Sequence, residues 1–150
     1  MNKEIYLVLD NIRSRENVGS IFRTADAVGV GKIYLCGITP TPPHEKISKT
    51  ALGAEACVSW EYRKQTWRLL EKLKKEGVGM VALEQTKESI NLFKFKPKFP
   101  LVLVVGNEVK GLSSQILKHC DKKISIPMYG KKESLNVSVA AGVALYQLVK

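Results

Sequence analysis

Two patterns of apolar positions alternate along this chain. Short unbroken runs at 5–9, 32–36, 78–83, 101–105 and 123–126 are rich in Val, Ile and Leu and mostly bounded by Gly, Pro, Asn or Asp, as in strands buried on both faces of a sheet. Between them the spacing turns helical. Val18, Ile21, Phe22, Ala25 and Val28 recur on one face, as do Trp67, Leu70 and Leu73. Ile116 and Leu117 belong to a shorter helix that Ser113 or Ser114 would cap, and 137–149 reads as a fourth helix. Parallel neighbours need crossover connections, so this alternation predicts an α/β fold with a mostly parallel sheet sandwiched by helices.

No internal repeat or long linker interrupts the pattern, and a single domain over 1–150 is expected. The least ordered stretches are 37–49, with Pro40, Pro42 and Pro43, and 91–100. In the second, Lys94, Lys96 and Lys98 are interleaved with Phe93, Phe95 and Phe99. That is either a basic aromatic face for RNA or, the stronger reading, an irregular connection into a buried strand.

Composition narrows the function. The 150 residues carry 24 Lys+Arg against 14 Asp+Glu, a formal charge of +10, with 45% hydrophobic residues. Such a chain can remove roughly 68–70% of its unfolded surface from water, which excludes a disordered class and makes disulfides unnecessary. The positive charge favours a polyanionic partner, nucleic acid before membrane. Cys36, Cys57 and Cys120 form no C-x-x-C pair, and His44-Glu45 lacks a second His at the spacing of a zinc motif; no metal site is expected. The N-terminal apolar run is too short for a signal sequence and no stretch approaches the ~20 residues of a membrane span. A cytoplasmic protein is expected. Neither Walker A nor G-x-S-x-G occurs, and Gly29-Val30-Gly31-Lys32-Ile33-Tyr34 fails the dinucleotide-binding pattern at its third glycine.

Three segments carry candidate chemistry. In the first, Arg13 and Arg15 lie in a polar loop before the helix of Val18, with Asn17 suited to the N-cap and Arg23 off the apolar stripe. This is a phosphate site at a helix N-terminus or a capped helix with a solvated arginine. The second runs from the strand 101–105 into Gly106-Asn107-Glu108-Val109-Lys110-Gly111-Leu112. Ligands of open α/β sheets gather beyond strand carboxyl ends, where Gly106 would admit a ligand and Glu108 would supply a carboxylate; an ordinary strand-to-helix turn is the alternative. The third comprises Ile126-Pro127-Met128 and Ser134-Leu135-Asn136-Val137-Ser138. Ser134 and Asn136 would cap the last helix, or would hydrogen-bond a nucleoside-like ligand walled by Met128 and Leu135.

Taken together, Asn17-Val18-Gly19-Ser20-Ile21-Phe22-Arg23, Gly106 to Leu112, and Ile126 to Met128 with Ser134 to Ser138 resemble, in order, the three motifs of the SpoU/TrmH branch of the SPOUT methyltransferases. The resemblance implies a tRNA or rRNA 2′-O-ribose methyltransferase that uses S-adenosyl-L-methionine. It also implies a C-terminal deep trefoil knot and a homodimer whose site is completed across the interface by the first and last helices. The few charged residues of the last helix agree with a dimer. The implied donor-binding residues are Leu83 or Glu84, Gly106, Ile126, Met128, Leu135 and Asn136. The implied catalytic set is Arg23, Asn17, Glu108, Ser134 and Asn136, with Ser138 beside them. Relatives often carry an additional RNA-binding domain or extension. Against that pattern the chain looks minimal, with Arg13, Arg15, Lys131 and Lys132 left to hold RNA. An arginine is a poor proton acceptor, so Arg23 is expected to stabilise a developing alkoxide while a substrate phosphate accepts the proton. The competing reading is a non-catalytic RNA-binding module that retains the fold.

Overall fold

The computed structural model describes residues 3–150; Met1 and Asn2, which open the segment read above as lacking a signal sequence, lie outside the described residues. Among those residues the strands are β1 (Ile5–Asp10), β2 (Lys32–Cys36), β3 (Trp60–Arg63), β4 (Gly79–Leu83), β5 (Ile90–Asn91), β6 (Leu101–Val105) and β7 (Lys122–Ser125). The helices are α1 (Arg15–Val28), α2 (Glu45–Ala51), α3 (Thr66–Lys75), α4 (Ser114–Lys118) and α5 (Val137–Val149). The strands form one sheet in the order β3-β2-β1-β6-β4-β7-β5, parallel at every pairing. All carboxyl ends therefore emerge along one edge. No described helix is long and apolar enough to cross a membrane.

Strand alternation assigns the two faces. Ile5, Leu7 and Leu9 of β1 point into a core with Val18, Ile21, Phe22 and Ala25 of α1, Ile47 of α2, and Ala141, Ala144 and Leu145 of α5. On the opposite face Val8, Met80, Val102 and Val104 pack with Leu69, Leu70 and Leu73 of α3 and Ile116 of α4. The central strand β6 is buried at all five positions, as an unbroken apolar run requires.

Two strands and one helix had no signature in the apolar pattern. β3 is a half-buried edge strand reading Trp-Glu-Tyr-Arg, and β5 has two residues; α2, within the stretch expected to be least ordered, buries only Ile47 and Ala51 and is capped by His44 Nδ1, which accepts from the Lys46 amide at 3.1 Å. In the segment 91–100 Phe95 and Phe99 pack against the core, whereas Lys94, Lys96 and Lys98 are exposed. Two of the three rings are thus drawn away from the lysines, while Phe93 stays exposed beside them.

The close approach of α1 and α2 depends on Gly19. A Cβ there would stand 2.0 Å from Thr50 Oγ1 and 2.3 Å from the Ile47 carbonyl oxygen, so α2 would have to move. Gly19→Ala should lower stability by about 1–3 kcal/mol, the usual range for overpacking. An unchanged urea midpoint would contradict that contact.

Candidate active site

The carboxyl ends of β4, β6 and β7 open into a cleft lined by Leu83, Glu84, Gly106, Glu108, Ile126, Met128, Ser134 and Leu135. All but Glu108 and Ser134 belong to the expected donor-binding set, drawn from four separated parts of the chain. Leu83, Ile126, Met128 and Leu135 furnish apolar walls, while Glu84 Oε1 accepts from the Leu112 amide at 3.0 Å. At about 220 Å³ the cleft is tighter than the roughly 300–1,000 Å³ usual for small-molecule sites. Its outer segment, 129–136, is exposed throughout.

Gly106 is buried, and a Cβ on it would lie 2.7 Å from the Gly111 carbonyl carbon and 2.8 Å from Leu112. Room for the returning turn is thus its first requirement, in addition to ligand access. Asn107 clamps that turn: its Oδ1 accepts from the Val109 and Lys110 amides, both at 2.9 Å, and its Nδ2 donates to the Asn11 carbonyl at 2.7 Å. Sequence reasoning passed over Asn107, although its place after a strand and before a Gly-containing turn suits an Asx turn.

Beside the cleft the three segments meet. Glu108 accepts from the Arg13 amide at 3.0 Å, the Ser14 amide at 2.8 Å and Asn17 Nδ2 at 3.4 Å. Asn17 Oδ1 in turn accepts from Asn136 Nδ2 at 3.2 Å. Asn136 Oδ1 receives the amides of Ser138 and Val139 and the Ser138 hydroxyl, at 2.9, 3.3 and 2.5 Å. The side chain of Asn17 thus bridges the second and third segments.

This geometry corrects two expectations. The N-cap of α1 is Ser14, whose Oγ accepts from the Asn17 amide; the helix begins earlier than its apolar stripe, and Asn17 is freed to bridge. The cap of α5 is Asn136, with Ser134 in the cleft wall. The Glu108 carboxylate takes the Arg13 and Ser14 amides just ahead of α1. Arg13, Arg15, Lys131 and Lys132 have exposed side chains around the site. Arg23 is exposed on α1 and does not line the cleft.

Burial raises the Glu108 carboxyl, but the hydrogen bonds from Arg13, Ser14 and Asn17 outweigh it and hold its pKa below the usual 4.5. A depressed native pKa contributes stability that is present above the unfolded value and is lost as pH falls through the native one. Glu108→Gln should therefore be less stable than the parent at neutral pH, and the gap should close below about pH 4.5. Urea titrations at a series of pH values check this, and a gap that persists or widens in acid contradicts it.

Residues 4–146 match the sequence pattern of the SpoU rRNA Methylase family. A tRNA (guanosine(18)-2′-O)-methyltransferase from Aquifex aeolicus is 40% identical over 146 residues, covering 97% of this chain and 68% of that one. The AdoMet-bound rRNA methyltransferase from Sinorhizobium meliloti superposes with a TM-score of 0.89 at 26% identity, over 98% of this chain and 56% of its own. A structure concerned with 2-OH methylation on tRNA matches with a TM-score of 0.85 at 27% identity, over 97% and 93%. The chain spans 56–59% of the length of several further curated relatives.

Proposed function

This chain belongs to the SpoU rRNA methylase family, and from that premise we propose that it transfers the methyl group of S-adenosylmethionine to a ribose 2′-hydroxyl of tRNA or rRNA. The observation that carries the reading is the Glu108–Asn17–Asn136 bridge, which ties the three segments together at the lip of the cleft. A non-catalytic RNA-binding module has no need of it. Apolar walls with backbone groups at strand ends suit a nucleoside carrying a sulfonium, and Leu83, Gly106, Ile126, Met128 and Leu135 would hold it, with Glu84 at the cleft floor. S-adenosylmethionine, when bound, supplies an electrophilic methyl group.

What remains for the protein is to align the hydroxyl and favour its alkoxide character. Glu108 anchors the start of α1 through two amides and fixes the Asn17 amide, which Asn136 holds from the other side. Asn17 then orients α1 and the ribose. Arg23 stabilises the developing negative oxygen through its guanidinium donors, and a neighbouring RNA phosphate accepts the proton. Ser134 offers its hydroxyl to the substrate, while the Ser138 hydroxyl donates to Asn136 Oδ1 and leaves only its lone pairs to accept. Arg13, Arg15, Lys131 and Lys132 hold the RNA backbone.

The proposal includes a homodimer, because Arg23 stands outside its own cleft and needs a second chain to serve one. An apolar stripe on α5 supports it: Val139, Val143 and Tyr146 are 51%, 36% and 55% exposed, at the spacing of one helix face. The proposal also includes the deep knot. Between β7 and α5 the chain lines the cleft at the ends of β4 and β6 with Ile126, Met128 and Leu135, which supports such threading. Three free cysteines suit a reducing cytoplasm.

The test incubates the protein with labelled S-adenosylmethionine and unmodified tRNA and rRNA pools and identifies nucleosides by mass spectrometry, with S-adenosylhomocysteine binding followed by calorimetry. A 2′-O-methylated nucleoside is expected. Absence of both product and donor binding would favour the RNA-binding module.

A further inference from the structure

On the far side of the 107–111 turn a second cavity opens at the same sheet edge. It lies between the start of α3, the start of α4 and the ends of β1 and β2, and it has a volume of about 850 Å³. Asn107, Val109 and Gly111 line both cavities, so one turn forms their common wall. The methyltransferase reading uses none of the groove's other side chains except Arg13.

Its lining combines three chemistries. Arg13, Lys64 and Lys110 supply positive charge, and among the described residues none of the three has an acidic partner within ion-pair distance. Trp67 offers a partly exposed ring. Asp10 is 6% exposed, with Oδ1 accepting from Thr66 Oγ1 at 2.5 Å; its second oxygen has no protein donor among the described residues. Burial pushes the Asp10 pKa up against the lowering effect of Thr66, and an N–H donor in the groove would meet the carboxylate at its remaining oxygen. Gln65 stands at the α3 N-cap position without making a capping hydrogen bond, which leaves its amide free.

Cations, an aromatic ring and a buried acceptor are what an unpaired nucleotide engages: phosphate, base face and base N–H. A free anion would use only the cations, and an apolar ligand would leave them and Asp10 unmatched. We propose that this groove is a second nucleotide site, holding an unpaired nucleotide of the substrate RNA that neighbours the methylated one. Its phosphate lies on Lys64 and Lys110, and its base lies on Trp67 with an N–H toward Asp10. The inference rests on the RNA-modifying reading of the adjoining cleft and extends it to the sequence context of the target.

The chain has two tryptophans, so Trp60→Phe leaves Trp67 as the sole tryptophan reporter. In that background a mixed-sequence single-stranded RNA hexanucleotide should quench Trp67 emission. Lys64→Ala should weaken the hexanucleotide about tenfold and lower the slope of log affinity against log salt by about 0.7, the share of one phosphate contact on a single strand. S-adenosylhomocysteine binding should be unchanged by Lys64→Ala. The site is refuted if the hexanucleotide leaves Trp67 emission unaltered, or if Lys64→Ala changes neither affinity nor slope. Loss of S-adenosylhomocysteine binding in the parent protein would instead count against the methyltransferase reading, and the groove is judged on the hexanucleotide alone.

Discussion

Arg23→Ala should lower turnover by roughly 10²–10³-fold or more, the range for removal of one group that stabilises developing negative charge, while S-adenosylhomocysteine affinity stays nearly unchanged. The separation follows from geometry: Arg23 is exposed on α1 and absent from the cleft lining, so its loss leaves the donor walls as they are. Its position away from the apolar stripe also makes unfolding an unsuitable explanation for lost activity. Single-turnover rates with saturating donor, measured beside calorimetric donor binding, decide the matter. Parallel loss of donor affinity would move Arg23 into the donor site, and retained turnover would remove it from the chemistry.

Two inactive variants should restore each other. Leu135→Asp places a carboxylate in the cleft wall of one chain, at a position 39% exposed, and leaves Arg23 intact; Arg23→Ala leaves the cleft intact. In a two-fold dimer whose sites take Arg23 from the partner, a mixed dimer has one complete site. Random exchange of subunits then recovers roughly a quarter of the parent activity. If each chain uses its own Arg23, mixing recovers nothing, because no chain carries both an intact cleft and an intact arginine. The measurement is turnover of mixtures after subunit exchange, with the unmixed variants as baselines.

The apolar pattern placed β2 and β6 at their observed ends and found β1, β4 and β7 to within one residue, because a buried parallel strand leaves an unbroken run. It missed β3 and β5, whose half-exposed residues leave no such run, and α2, which depends on a His44 cap and two buried side chains. The motif residues Gly106, Met128 and Leu135, with the Leu83 or Glu84 that the resemblance adds, were legible and do meet in one cleft. Why they meet was not legible. Asn17 resembled a cap in sequence, since a polar residue before an apolar stripe is what a cap looks like; only the Ser14 hydroxyl, one turn earlier, reassigns it.

The sequence by itself determined the types of most elements, the layered α/β class and the basic character, properties carried by residue type and short-range spacing, while the three segments were joined in one chemistry by the resemblance of their motifs to a family. The tertiary structure decided the strand order, which inserts β6 between β1 and β4. It thereby brought Glu108 to Asn17 across 91 residues and Asn136 to Asn17 across 119. It also decided that Asp10, Lys64 and Trp67 border one groove. Buried strands present nearly the same apolar signature wherever they sit in a sheet, so periodicity states that a strand exists and is silent on its neighbours. Those neighbours are chosen by the fit of whole faces and crossovers against one another, and the site is assembled from that choice.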